Sequence, residues 1–232
     1  DRTAIAVVGI DPLGNKYLLD GVCHRMKLSE RWEQLRNLHI KWSKMPGVQR
    51  IDVGWERYGV QADIEHFESQ MRTSGYRFEI KELNWTGQVG EQSKKSRVGR
   101  LEPDIRNGRF FVPWRVWNGS VMETGTTKRS DSVIWHLEDG DDMIHYRHFG
   151  GRHAQERQAL AAGERWRIQE AIRRIDEDGD IYDLVRVAFE EIKFYPFSPR
   201  DDLVDVMSRV YDMDPLPAVR YEAVPVVDYP DA

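Results

Sequence analysis

The residues with the clearest capacity for chemistry are carboxylates. Glu56 closes the run Gln49-Arg-Ile-Asp-Val-Gly-Trp-Glu56, and Asp201, Asp202 and Asp205 crowd into Asp201-Asp-Leu-Val-Asp205 near the other end of the chain. Pro196 and Pro199 bar a helix just upstream, whereas Leu203, Val204, Val206, Met207 and Val210 follow, so a helix is predicted to start at Asp201 or Asp202. At helical spacing Asp202 and Asp205 are i and i+3, and Asp201 and Asp205 are i and i+4, which gathers the acids on one side of the first turn. A helix N-terminus tolerates one or two such charges; three suggest that a cation is expected there, with an over-capped helix as the competing reading. Joined to Glu56, the set offers hard oxygen ligands with no His, Cys or Ser base beside them, the donor type that selects Mg²⁺ or Mn²⁺. Such ions, held as a pair, stabilise the attacking and leaving oxygens of a phosphodiester displacement.

A second candidate is cationic. Ser93-Lys-Lys-Ser-Arg-Val-Gly-Arg100 brings Lys94, Lys95, Arg97 and Arg100 within seven residues, enough to grip phosphates directly, although a solvated basic loop has the same composition. Two other patterns fail. Asp176-Glu-Asp-Gly-Asp-Ile-Tyr-Asp183 imitates a calcium loop, but its glycine is fourth and its twelfth residue is Val187 where a bidentate Glu is required. His136, His145, His148 and His153 have no Cys among them, and the spacing of His145 and His148 on a strand sends them to opposite faces, which argues against zinc.

These residues need elements to position them. Thr3 to Ile10 is β-branched and apolar, Asp11-Pro-Leu-Gly-Asn15 carries turn residues, and Lys16 to Met26 is strand-like again, so the chain is predicted to open with an antiparallel hairpin. A helix from Ser29, as its cap, to Trp42 follows, with Trp32, Leu35, Leu38 or His39, and Trp42 on one stripe. Val48 to Trp55 is predicted as a strand delivering Glu56 at its C-terminal end, then a helix from Val60 to Arg72 and a strand from Tyr76 to Leu83. This order predicts an α/β sheet whose later strands are parallel, and in such sheets site residues gather at strand C-termini. A solvated loop carboxylate is the plainer reading of Glu56. Residues 114–178 read as an insertion, with strands at Val133–Leu137 and Met143–His148 and a charged helix from Ala154 to Ile175. The core is expected to resume with a helix from Ile181 to Lys193, and prolines 215, 217 and 225 predict an extended tail over 214–232.

Composition narrows the class. With 232 residues and 40% hydrophobic content the chain can bury one sizeable core, or one core plus a substantial insertion. The net charge of −5 argues against binding nucleic acid by bulk charge but leaves room for a local basic strip. No apolar run is long enough to span a bilayer, no secretory signal is visible, and the single Cys23 excludes an internal disulfide and fits a reducing compartment. The chain enters a strand directly from Asp1 with no initiator Met, which predicts that it is part of a longer polypeptide.

Several pieces, in order, resemble the C-terminal nuclease domain of the large subunit of tailed-phage terminases. They are Asp1-Arg-Thr-Ala-Ile-Ala-Val-Val with Tyr17-Leu-Leu-Asp-Gly21, Val53-Gly-Trp-Glu56 before Tyr58-Gly59, Lys94-Lys-Ser-Arg97 before Leu101-Glu-Pro, and Phe189-Glu-Glu-Ile192 before Tyr195-Pro and Asp201-Asp-Leu-Val-Asp205. The resemblance implies a ribonuclease-H-like mixed sheet flanked by helices over 1–213, related to the Holliday-junction resolvases. It implies Glu56, Asp202 and Asp205 as catalytic ligands of a two-metal Mg²⁺ or Mn²⁺ site, with Asp201 and Asp1 beside the metal shell. It also implies double-stranded DNA as substrate, cut from concatemers during genome packaging in the bacterial host cytoplasm, and the terminase small subunit and the portal as partners. The family's first catalytic Asp belongs to a strand expected ahead of Asp1; Asp11, in Gly9-Ile-Asp-Pro12, imitates that motif but falls in the hairpin turn. No Gly-x-x-x-x-Gly-Lys-Ser/Thr loop occurs, so DNA translocation is not expected of these residues. The rival readings are a resolvase-like or repair nuclease, which would be dimeric, and a non-catalytic docking module of a packaging complex.

Overall fold

A computed structural model describes residues 2–56, 62–83, 91–118, 137–139, 142–148, 166–169 and 172–219. Asp1, His136, His153 and residues 220–232 lie outside the described residues, as does most of the sequence-predicted helix from Ala154. The architecture is mixed α/β. Strands β1 (Thr3–Ile10) and β2 (Lys16–His24) form the predicted antiparallel hairpin, and its turn is organised by Asp11. That carboxylate accepts from Leu13 N at 2.8 Å, Asn15 N at 2.8 Å, Asn15 Nδ2 at 2.9 Å and the Tyr17 hydroxyl at 3.0 Å, so its lone pairs are spent on the turn.

Helix α1 (Leu28–Ser43) buries Trp32, Leu35, Leu38 and Trp42, so that Leu38 rather than His39 completes the expected stripe, but its start differs. Lys27 occupies the cap position and its backbone N–H donates to Glu30 Oε2 at 3.1 Å, so Glu30, not Ser29, caps this end. Strand β3 (Val53–Glu56) is shorter than expected; α2 (Ala62–Ser74) and β4 (Ile80–Leu83) follow, and β3 and β4 pair in parallel as predicted. One core cluster unites Ile5 and Val22 of the hairpin, Trp32, Leu35 and Leu38 of α1, and Phe67 and Met71 of α2, with Val53, Trp55 and Ile80 packed against it. The other face of β1, carrying Ala4, Ala6 and Val8, meets a second cluster built largely by the C-terminal helices.

The basic segment is not a loop: it forms α3 (Glu91–Gly99), followed by α4 (Leu101–Arg106) and β5 (Phe110–Asn118). Strand β5 pairs in parallel with β2 and antiparallel with β7 (Asp142–His148), which also pairs β6 (Leu137–Asp139). The predicted charged helix is contradicted where it is described. Residues Trp166–Gln169 are β8, antiparallel to β5, and Arg173–Ile175 are β9, paired with β10 (Ile181–Asp183). Pairing with existing strands outweighs the helix propensity of this Glu- and Arg-rich stretch. Between β9 and β10 the calcium-loop look-alike is a hairpin turn, with Asp176 Oδ1 accepting from Asp178 N at 3.0 Å and Asp180 N at 2.9 Å. The next helix, α5 (Leu184–Phe194), starts three residues later than predicted, capped by Asp183 through Val185 N at 3.0 Å.

The resulting six-stranded mixed sheet has the order β1-β2-β5-β7-β6 with β8 on β5, and β3-β4 is hydrogen-bonded as a separate pair. The chain closes on α6 (Asp202–Ser208) and a 3₁₀ turn over Arg209–Met213. Leu203, Val204 and Met207 are fully buried. Each such side chain contributes about 1.5–3 kcal/mol, which holds so short a helix in place. Past it, Gln49 pairs both ways with the backbone of Val219, at 2.8 and 3.0 Å. Among the described residues no helix is long and apolar enough to cross a membrane.

Candidate functional site

The acids of α6 are placed by their apolar neighbours: once Leu203, Val204 and Met207 are committed to the core, Asp201 and Asp205 are left toward α3. Asp201 occupies the N-cap position, and its carbonyl accepts from Asp205 N at 2.9 Å, but its side chain caps nothing. It takes Lys94 Nζ instead, at 2.7 Å. The capping role passes to Glu191, from α5, whose Oε2 accepts from Val204 N at 2.9 Å. Burial pushes the Glu191 carboxyl up to about 7; the backbone N–H groups of Val204 and Leu203 pull against this, and the negative charges of Asp202 and Asp201 add to it.

Asp205 is buried and held by Arg97, whose Nη2 lies 3.0 and 2.9 Å from the two carboxylate oxygens and whose Nε lies 3.2 Å from Oδ1. Lys94 Nζ stands 3.7 Å from Asp205 Oδ2. Burial alone would lower the Lys94 ammonium, but the hydrogen bond to Asp201 and the charges of Asp205, Asp201 and Asp202 outweigh it and raise it. Asp202 is partly buried and, among the described residues, has no salt-bridge partner.

Glu56 stands at the C-terminal end of β3, as the sequence predicts, but its contact is with the 3₁₀ turn rather than with the acids of α6. A Cβ on Gly54 would lie 2.9 Å from the Met213 sulfur and 2.8 Å from Leu83 Cδ1, so glycine at this position lets the turn lie against β3. Arg209, buried in that turn, then pairs with Glu56 through Nη2 and with Asp212 through Nη1 at 2.6 Å. Arg100 completes the row on Asp212 Oδ1 at 2.6 Å, stacked 5.7 Å from the Tyr211 ring centroid. A neighbouring pair anchors the same turn: the Tyr211 hydroxyl and Lys16 Nζ both donate to Asp104 Oδ2 at 2.6 Å.

The structure therefore brings Asp201 and Asp205 together with Lys94 and Arg97, and Glu56 together with Arg209, as two adjoining charge clusters. Of the four cations expected to grip phosphate, Lys94, Arg97 and Arg100 are each engaged by a carboxylate and Lys95 is exposed. As arranged, these residues do not fit a bound divalent ion: arginine engages both oxygens of Asp205 and also engages Glu56, and no three His, Cys, Asp or Glu side chains among the described residues converge as ligands. Glu191, Arg209 and Asp212 are absent from the sequence-derived set. Glu191 carries a signal, since it falls at i+7 from Leu184 and i+3 from Ala188, on the stripe that α5 buries.

No family model, no curated protein and no solved structure matches the chain.

Proposed function

We propose that this chain is a metal-dependent DNA endonuclease domain, with the ribonuclease-H-like arrangement and genome-packaging role that its resemblance to terminase nuclease domains implies. The observation that supports it best is the meeting of three elements far apart in sequence: acids on the first turn of α6, a basic helix α3 laid against them, and Glu56 at the C-terminal end of β3, tied to the turn that continues α6. Carboxylates beside a cationic helix at strand ends are the ingredients of phosphodiester cleavage, with Mg²⁺ or Mn²⁺ as the proposed cofactor, double-stranded DNA as substrate, and the host cytoplasm, small subunit and portal as its setting. β1 and β3 each keep one edge without a strand partner among the described residues.

The test is plasmid cleavage with Mn²⁺, Mg²⁺ or EDTA, by this chain, by a form extended upstream of Asp1, and by Asp202→Ala in each. Metal-dependent nicking that Asp202→Ala abolishes is expected. Inertness of both forms with both metals, or undiminished cutting by Asp202→Ala, would overturn the proposal. A second reading, a docking module that cuts nothing, is favoured by one observation: Asp201, Asp205, Asp212 and Glu56 are already matched by cations of the same chain. Such a module would bind its partner equally well in EDTA.

A further inference from the structure

The turn between α5 and α6 holds aromatic rings out in solvent beside cations. Phe194 is 52% exposed and Phe197 is 91% exposed, whereas Tyr195 between them packs against the core cluster of the C-terminal helices. Phe197 N donates to the Phe194 carbonyl at 2.7 Å, and Pro196 and Pro199 restrict the backbone on either side of Phe197. Arg200 N donates to Ser198 Oγ at 3.4 Å, and that hydroxyl donates back to the Arg200 carbonyl. Both phenylalanines therefore project from one hydrogen-bonded turn, so a flat partner would meet a ring already in place.

The charges around the turn narrow the partner. Lys193 Nζ lies 4.9 Å from the Phe194 ring centroid. Lys193, Arg200 and, on α3, Lys95 are exposed and have no salt-bridge partner among the described residues. The acids close to them in sequence are mostly committed: Glu190 to Arg186 at 3.0 Å and Asp201 to Lys94 at 2.7 Å, with Asp202 partly buried. An apolar protein surface would cover the rings and leave these cations unanswered, whereas nucleic acid offers base faces to the rings and phosphates to the cations.

We infer that the turn from Phe194 to Arg200 is a DNA contact in which Phe197 stacks on an unpaired base while Lys193 and Arg200 take the flanking phosphates. This rests on the DNA-binding part of the nuclease reading and adds the form of DNA recognised: a stretch with bases out of the duplex, such as a frayed end or a single-stranded overhang.

The test is binding of fluorescently labelled blunt duplex and of the same duplex with an oligothymidine overhang, followed by anisotropy in EDTA so that no metal-dependent cutting intervenes. The parent is expected to prefer the overhang form by about tenfold, the contribution of one base stacked on an aromatic ring. Phe197→Ala should lose that preference with blunt-duplex affinity unchanged, and Phe197→Trp, which restores a stacking face, should keep it. So exposed a side chain can be replaced without disturbing the core. Arg200→Gln and Lys193→Gln should weaken both forms and flatten the salt dependence. A parent that binds both forms equally, or Phe197→Ala with the preference intact, overturns the role of the turn and leaves the DNA reading standing. Binding of neither form overturns both and leaves a protein as the partner for the exposed rings.

Discussion

Replacing Glu191 by Gln isolates a pH-dependent part of the stability of this fold. The carboxyl is 3% exposed and is pushed from an ordinary 4.5 up to about 7, chiefly by burial, with Asp201 and Asp202 of α6 adding repulsion and Cys23 of β2 nearby. Because the folded value lies above the unfolded one, the native state binds more protons between about pH 4.5 and 7, so stability falls as pH rises through that window and levels off above it. Each pH unit crossed inside the window costs roughly 1.4 kcal/mol, so the loss between pH 5 and pH 8 amounts to about 2–3 kcal/mol. Gln keeps an oxygen for Val204 N and places its amide where Oε1 is buried without a partner, a penalty that does not change with pH. Urea unfolding of parent and Glu191→Gln at both pH values should therefore show the difference between them moving by about 2–3 kcal/mol in the variant's favour at pH 8. Other titrating groups cancel in that comparison. Parallel pH profiles, with a difference that moves by less than about 0.5 kcal/mol, would show that the buried carboxyl does not titrate as described.

The hairpin depends on Gly21, whose φ is +152° and whose added Cβ would overlap the carbonyl oxygen of Ile5; Gly21→Ala should cost more than about 2 kcal/mol, seen as a lower urea midpoint at unchanged slope. Phe67 is fully buried between α1, α2 and β3, so Phe67→Ala should cost about 3–5 kcal/mol by the same measurement. Burial raises the Asp104 carboxyl, but the hydrogen bonds from Lys16 and Tyr211 outweigh it and hold it below the usual carboxylate range. Its contribution is present above the unfolded pKa and lost as pH falls through the lower folded value, so Asp104→Asn should be less stable near neutrality and lose less on acidification, as thermal unfolding at a series of pH values will report.

What the sequence disclosed and what it hid divide along a physical line. The opening hairpin, the stripe of α1 and the position of Glu56 at a strand end follow from local period and turn chemistry, which neighbouring residues determine. Helix α3 has no such signature. Among Lys94 to Arg100 only Val98 is apolar, and the burial of Arg97 makes sense only with Asp205, 108 residues away in sequence. A buried arginine reads as an exposed one until its partner is known. The same holds for Arg209, whose partner Glu56 is 153 residues distant. Strands β8 and β9 are hidden for the opposite reason: their local propensity is clear and points to helix, but hydrogen bonding to β5 and β10 overrides it.

The acids of α6 and Glu56 carry a consequence for both functional readings. Asp201, Asp205, Asp212 and Glu56 would repel one another strongly in a half-buried cluster, and Lys94, Arg97, Arg100 and Arg209 answer these four one for one, while Asp202 has no salt-bridge partner among the described residues. For a docking module this pairing is the end state, and the pairs serve only to fix α3, α6 and β3 against each other. For an enzyme the same pairs would have to open before any ligand reached the carboxylates that Lys94, Arg97 and Arg209 hold. The pairing that makes the cluster stable without a ligand is thus also what a catalytic role would have to undo.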